Sequence, residues 1–97
     1  IRQRARVSQI SLSGFGKTEL YPNPAGDKTL LRFAEEHKGK IRISIMSFQG
    51  IPVKTEEYND IQADQTIELD LATVPSGQYL MLISGENGHK ALQLIKL

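Results

Sequence analysis

Histidine and serine are the side chains of this sequence that could carry out nucleophilic or acid–base chemistry. His37 and His89 lie far apart along the chain, each beside a lysine and close to a glycine, which is typical of surface loops. The serines lie outside any G-x-S-x-G elbow, and no pattern places a base beside one of them. We therefore predict surface loop positions for both histidines and no nucleophilic catalysis.

Acidic and amide side chains raise two further questions, acid–base catalysis and metal binding. Glu35-Glu36 and Glu56-Glu57 are adjacent pairs, and neighbours on a strand point to opposite faces, so the two carboxylates of a pair do not face one substrate. Asn59, Asp60 and Asp64 could supply oxygen ligands to calcium, but the D-x-[DN]-x-[DN]-G loop is absent. The sequence predicts no enzyme, no cofactor and no metal site.

Composition restricts the partners of the chain. It has 97 residues, a net charge of +1, 39% hydrophobic residues and no cysteine, which suits one domain with an ordinary core and excludes thiolate chemistry. Arg2, Arg4 and Arg6 recur at spacing two and would point the same way in an extended segment. They could contact phosphate groups, but stacking aromatic residues are missing, so we predict no nucleic-acid partner.

Period-two alternation dominates the chain, and no long window carries a helical stripe. Ile41, Ile43 and Ile45 alternate with other residues, as do Ile67 and Leu69, which predicts strands with one buried face. The predicted strands lie near residues 28–34, 40–48, 52–58, 66–71, 78–85 and 89–97, with one more from 6–13 or 17–21. About seven short antiparallel strands predict an all-β, immunoglobulin-like β-sandwich.

Turn residues separate these strands. The turn signals are Lys38-Gly39, Gln49-Gly50, Asn59-Asp60, Pro75-Ser76-Gly77 and Asn87-Gly88. Asn87-Gly88 predicts a type I′ hairpin between the last two strands, because both residues tolerate positive φ angles. Pro52 lacks an N–H group and therefore predicts an edge strand. The run Tyr79–Ile83 is apolar on both faces and predicts a central or covered strand.

Two prolines flank an asparagine shortly before the first main strand, in Tyr21-Pro22-Asn23-Pro24. Each proline fixes its own φ angle and pushes the preceding residue toward extended geometry. Asn23 can hydrogen-bond nearby backbone, and Ala25-Gly26-Asp27 can complete a reversal of direction. The physical interpretation is a rigid turn that leads into the first main strand.

Four blocks of sequence follow one another in a recognisable order. They are Leu20–Pro24, Met46–Val53, Leu71–Tyr79 and the basic, apolar Lys90–Leu97. In this order and spacing the blocks, which together span residues 20–97, resemble the type A C-terminal sorting domain of the type IX secretion system.

The resemblance implies an immunoglobulin-like sandwich at the end of a cargo protein from the Bacteroidetes. In that family the cargo crosses the periplasm, and the folded domain is recognised by the outer-membrane translocon and its shuttle. A sortase-like surface peptidase then removes the domain and attaches the cargo to anionic lipopolysaccharide. The implied function is a secretion signal that carries the parent protein to the outer membrane or cell surface.

The resemblance also assigns individual residues. Gly50 matches the family's turn glycine, and Gly77 with Tyr79 matches its G-x-Y strand start, where glycine permits a tight entry and the tyrosine hydroxyl needs a partner. Lys90 and Lys96 match its basic positions, and on physical grounds we expect exposed lysines there. The predicted recognition residues are Gly77, Tyr79, Lys90, Lys96 and Leu97, and the predicted structural motif residues are Tyr21, Pro22, Asn23, Pro24 and Gly50.

The first part of the chain leaves alternatives open. We predict that residues 1–19 are a linker that holds the cleavage point, or an N-terminal strand of a preceding domain, since Val7–Leu12 alternates like a strand. Residues 20–97 would be the sorting domain. A packed segment would resist a peptidase, and the domain would then stay attached as a docking or adhesion module on a surface protein or on the secretion apparatus. An exposed sheet edge also permits a homodimer by strand exchange.

Overall fold

Alternating branched side chains build strands along the whole described part of the chain. The computed structural model describes residues 17–86 and 88–97, which contain seven strands and no helix, and therefore no membrane-spanning helix. The strands are β1 (Thr18–Tyr21), β2 (Lys28–Phe33), β3 (His37–Met46), β4 (Pro52–Ile61), β5 (Gln65–Asp70), β6 (Gly77–Gly85) and β7 (Gly88–Lys96). The predicted all-β architecture is confirmed.

The strands form two antiparallel sheets. One sheet has the order β1-β2-β5 and the other the order β4-β3-β6-β7. In the immunoglobulin arrangement, β1, β2 and β5 face β3, β6 and β7. Here β4 pairs with the free edge of β3. The predicted immunoglobulin-like sandwich is the observed fold.

The inner faces of the two sheets meet in one apolar core. The first sheet contributes the fully buried side chains of Leu31, Phe33 and Leu69, together with Leu71 directly after β5. The large, fully buried side chains of the second sheet are Ile41, Ile43, Ile45, Ile61, Met81, Ile83 and Leu94. Each such side chain stabilises the fold by about 1.5–3 kcal/mol relative to its exposed state. The period-two pattern therefore predicted the buried face correctly.

Three features of strand placement are confirmed. Pro52 is the first residue of β4, which lies at the edge of its sheet, where a missing N–H group costs no ladder bond. The doubly apolar run Tyr79–Ile83 lies in β6, between β3 and β7. The last two strands also pair as a hairpin in which Gly85 lies opposite Gly88.

Two predicted turns are wrong, because their residues form an irregularity inside a strand pair. Lys38 and Gly39 belong to β3, and Asn59 and Asp60 belong to β4, where the register shifts between His37 and Lys40. Gly39 has a φ of +83° and Asp60 a φ of +59°, and the Gly39 N–H donates to Asp60 Oδ1 at 2.8 Å. A β-bulge uses the same residue types as a turn, since both need positive φ.

The predicted surface position is wrong for His37. It is the first residue of β3, is only 6% exposed, and packs edge-on against Phe33 with ring centroids 5.8 Å apart. Burial disfavours the charged imidazolium and lowers the pKa of His37, although the nearby carboxylate of Glu35 opposes this shift. His89 is exposed as predicted, but it lies in strand β7 and not in a loop.

Several predictions concern residues outside the described part of the chain. These are the arginine series Arg2, Arg4 and Arg6, the strand at Val7–Leu12, and the type I′ geometry at Asn87.

Truncating a core ring should cost far more stability than truncating an exposed one. Phe33 is fully buried, whereas Phe48 is 54% exposed. We expect Phe33→Ala to lower the free energy of unfolding by about 3–5 kcal/mol and Phe48→Ala to change it by about 0.5 kcal/mol or less. Urea titration followed by circular dichroism measures both, and equal losses would contradict this assignment of the core.

Acid should destabilise the domain through His37. Because the folded pKa lies below the ordinary value of 6.5, the unfolded chain takes up the proton first as the pH falls. The stability is therefore complete above pH 6.5 and declines as the pH drops toward the folded pKa. We expect the urea midpoint of His37→Gln to fall less than that of the parent between about pH 7.5 and about pH 5.5.

The matched control for this experiment is His89→Gln, which removes an exposed imidazole. It should keep the parent's pH dependence. A parent and a His37→Gln variant with parallel pH profiles would show that His37 does not carry this effect.

Candidate recognition site

The four motif blocks meet at one end of the sandwich. In the first sheet, Tyr21 lies opposite Leu30 and Lys28 opposite Asp70. In the second sheet, Met46 lies opposite Pro52, and Gly77 lies opposite Lys96. We call this the motif end, formed by the loop at residues 22–27, the turn at 47–51, the loop at 71–76 and the last residues of β7.

Backbone hydrogen bonds fix the loops at residues 22–27 and 71–76 at the motif end. The Leu71 N–H donates to the Asp27 carbonyl at 2.6 Å, and the Val74 N–H donates to the Leu71 carbonyl at 2.9 Å. Leu71 and Val74 are buried beneath this loop. The loops at 22–27 and 71–76 therefore support each other and fix the shape of this end.

The loop at residues 22–27 also closes the outer edge of β7. The Asn23 side-chain amide donates to the Gln93 carbonyl at 2.7 Å, and its oxygen accepts the Ile95 N–H at 3.0 Å. Two residues on, the Ala25 N–H donates to the Ile95 carbonyl at 2.8 Å, and the Ala25 carbonyl accepts the Leu97 N–H at 2.8 Å. We call these four hydrogen bonds the clasp.

The loop at residues 22–27, which we call the clasp loop, contains two prolines. Both X–Pro bonds, Tyr21–Pro22 and Asn23–Pro24, are cis, and the Thr29 hydroxyl donates to the Pro22 carbonyl at 2.9 Å. The predicted turn before β2 is present. Its contact with β7 was not predicted, because the local sequence carries no signal of a partner some 70 residues away.

Tyr79 forms a tyrosine corner at the start of β6. Tyr79 is 7% exposed, and its hydroxyl donates to the Pro75 carbonyl at 2.6 Å. A tyrosine near the start of this strand that bonds to the backbone a few residues upstream is a hallmark of immunoglobulin-like sandwiches. Gly77 has a φ of +150°, a value that side chains rarely adopt, so it supplies the entry that the corner needs.

The turn between β3 and β4 presents two apolar side chains to solvent. Gly50 has a φ of +87° with open space around it, which confirms the predicted turn. The Ser47 hydroxyl accepts the N–H groups of Gln49 and Ile51 at 3.3 and 3.2 Å. Phe48 and Ile51 are 54% and 62% exposed. The turn signal at Gln49-Gly50 could have identified these neighbours as exposed residues.

The two predicted basic residues lie on the inner side of β7. Lys90, Lys96 and the buried Leu94 are separated by even numbers of residues, so their side chains lie on the same face of β7. Lys90 is half-buried. Lys96 is only 8% exposed, so the expectation of an exposed lysine is wrong there. Its Nζ donates to the Leu97 backbone oxygen at 3.3 Å and lies 3.9 Å from Asp27 Oδ1. Lys96 thus helps to hold the clasp loop against β7.

Exposed apolar side chains concentrate at or near the motif end. Among the described residues, the large hydrophobic side chains that are exposed are Tyr21, Leu30, Phe48, Ile51, Val53 and Leu97. The loops at residues 34–36 and 62–64, which lie at the opposite end, contain Glu35, Glu36 and Asp64 and no large hydrophobic residue. Exposed apolar groups gathered in one region are typical of an interaction surface.

Acid–base and metal chemistry find little support among the described residues. Lys40 and Arg42 line an open cleft of about 300 Å³, but both contact Glu57, and the Arg42 hydrogen bond lowers the pKa of that carboxyl. Burial raises the pKa of Tyr58 to about 12, helped by its bond to Glu56. No three His, Asp or Glu side chains in these residues form a metal-binding group.

Residues 19–96 match the family model described as the secretion system C-terminal sorting domain. The chain belongs to this family. The match confirms the resemblance drawn from the four blocks, and it implies a C-terminal sorting signal for type IX secretion, a Bacteroidetes source and transit to the outer membrane or cell surface. A search of curated proteins found no match.

The tyrosine corner should contribute measurably to the stability of the sorting domain. Tyr79→Phe keeps the ring but leaves the Pro75 carbonyl without its donor, and we expect a loss of about 1–2 kcal/mol in the free energy of unfolding. Tyr21→Phe removes an equivalent hydroxyl from a ring that is 74% exposed and should be neutral within about 0.5 kcal/mol. Urea titration compares the two variants, and a neutral Tyr79→Phe would contradict a stabilising corner.

Proposed function

We propose that the type IX machinery reads the motif end of the folded domain and thereby carries the parent protein across the outer membrane to the cell surface. The observation that carries this proposal is the convergence of all four motif blocks on one end, where the exposed apolar side chains also gather.

The proposed partner is the outer-membrane translocon or its shuttle, which would contact the motif end through apolar side chains. Pairing of a partner strand with the outer edge of β7 was an alternative, but Gln93, Ile95 and Leu97 already bond to the clasp loop there. Leu97 is 69% exposed and suits direct contact. Apolar contact is thus the better-supported mode at this end.

The predicted recognition residues take different roles in this proposal. Leu97 contacts the receptor, together with Phe48 and Ile51 of the turn. Gly77 and Tyr79 shape the loop beneath, since the tyrosine ring is buried. Lys96 acts on the clasp, and a contact between Lys90 and the receptor stays a prediction.

The later steps of the pathway are also proposed from the family. A sortase-like peptidase would separate the domain within residues 1–19 and attach the cargo to anionic lipopolysaccharide. The described domain begins at β1 with Thr18, so a cut before this strand would leave the sandwich whole. Exchange of an edge strand between two copies stays a prediction.

A reporter fusion tests the proposal. A reporter with a periplasmic signal peptide and the 97-residue chain at its end should reach the surface of a strain with a working type IX system. Phe48→Ser with Ile51→Ser should lower surface delivery by about tenfold without loss of stability, since both side chains are exposed. The matched control is Gln62→Ser with Ala63→Ser in the exposed loop at the opposite end, which should be delivered like the parent.

Retention of the unmodified reporter in the periplasm would overturn the proposed function. Equal delivery of the two double variants would overturn the assignment to the motif end.

A second candidate is a retained docking or adhesion module, which the exposure of Tyr21 and Phe48 at the motif end favours. Exposed aromatic rings at one end of a sandwich suit a ligand as well as a receptor. Mass spectrometry of the mature surface protein separates the two fates. Peptides from residues 28–97 on the parent at the surface support retention, and their loss supports cleavage.

A further inference from the structure

The Asn23 side chain forms the hydrogen bonds with β7 that the backbone of a neighbouring strand would form. Its carboxamide carries one acceptor and two N–H donors on a planar group, much as a peptide bond does. It donates to the Gln93 carbonyl and accepts the Ile95 N–H, and Ala25 repeats this pattern two residues further along β7 with its own backbone. Together they form a parallel ladder, with Ala25 opposite Lys96.

Few other side chains could occupy position 23 in this way. Aspartate would keep the acceptor for the Ile95 N–H but would face the Gln93 carbonyl with a second oxygen in place of a donor. Alanine would leave both β7 groups to solvent. The bond to the Gln93 carbonyl therefore needs an N–H donor at position 23.

The clasp unites residues from the two ends of the described chain. Asn23 is separated by 70 and 72 residues from its partners Gln93 and Ile95. The two segments come together only when both sheets have assembled around the core. Lys96, buried between Asp27 and the Leu97 backbone oxygen, adds a second contact between the same two segments.

We propose that the clasp makes the sorting signal conditional on complete folding, with Asn23 as the positioning residue. A closed clasp fixes Leu97 and Tyr21 on the surface of the motif end, whereas an open clasp frees the last residues of the chain from that surface. The receptor would then bind assembled domains and pass over incomplete ones. This inference rests on the proposed function, because it concerns how the same surface becomes readable.

The clasp bonds are largely exposed, so they should open without unfolding of the core. In the 97-residue chain, hydrogen exchange at the Ile95 and Leu97 amides reports the clasp, and exchange at the Ile43 and Met81 amides reports the core. We expect Asn23→Ala and Asn23→Asp to accelerate exchange of the first pair by about tenfold or more and to leave the second pair nearly unchanged. Asn59→Ala, an exposed asparagine on β4, is the matched control.

Surface delivery of the reporter fusion is the second measurement. Delivery should fall severalfold for Asn23→Ala and Asn23→Asp and stay at the parent level for Asn59→Ala. Thr29→Val, which removes the hydroxyl bond to the Pro22 carbonyl, loosens the clasp loop without touching Asn23 and should act in the same direction. If Asn23→Ala also accelerates exchange in the core, Asn23→Asp and Thr29→Val decide the result.

The outcomes separate the two proposals. Faster exchange at Ile95 and Leu97 with unchanged delivery would overturn the conditional signal and leave the proposed function intact. Unchanged exchange in both Asn23 variants would overturn the role of Asn23. Failure of the unmodified fusion to leave the periplasm would instead overturn the proposed function itself.

Discussion

The last part of the outer edge of β7, from Gln93 onward, is closed by the chain's own loop, and the form of the motif end depends on this contact. A strand at the edge of a sheet presents unpaired N–H and carbonyl groups that other chains can bind. Here Asn23 and Ala25 satisfy those groups at Gln93, Ile95 and Leu97. The same contact holds Leu97 in place and leaves apolar side chains, rather than backbone, as the exposed features of this end.

The gathering of exposed apolar side chains at one end follows from the connectivity of the sandwich. Alternate loops of an antiparallel sheet lie at opposite ends, so the loop at 22–27, the turn at 47–51 and the loop at 71–76 share one end. Their apolar residues Phe48 and Ile51 lie in the turn at 47–51 and are exposed there. Tyr21 is exposed at the end of an edge strand.

The sequence predicted the regular parts of the fold well, because the alternation of Ile41, Ile43 and Ile45 or the missing N–H of Pro52 acts locally. It failed where one local signal has two structural meanings. Gly39 and Asp60 supply positive φ angles to a bulge, and a turn would use the same residues. The burial of His37 depends on its contact with Phe33, which the presence of a neighbouring lysine and glycine does not reveal.

The candidate site shows the same division. The inward direction of Lys96 could have been predicted, because it alternates in phase with Leu94 along β7. The role of Asn23 could not, because its partners lie at the far end of the sequence and are backbone groups without a signature of their own. The tyrosine corner lies between these cases. Tyr79 and its partner Pro75 are only four residues apart, but that spacing indicates a tyrosine corner only once the fold is known to be a sandwich.

The prolines beside Asn23 affect how a strand of another molecule could pair with this loop. Pro22 and Pro24 carry no N–H group, so the loop that pairs with β7 gives little help to another strand that would add to its outer side. Growth of the sheet from one molecule to the next is interrupted at this position.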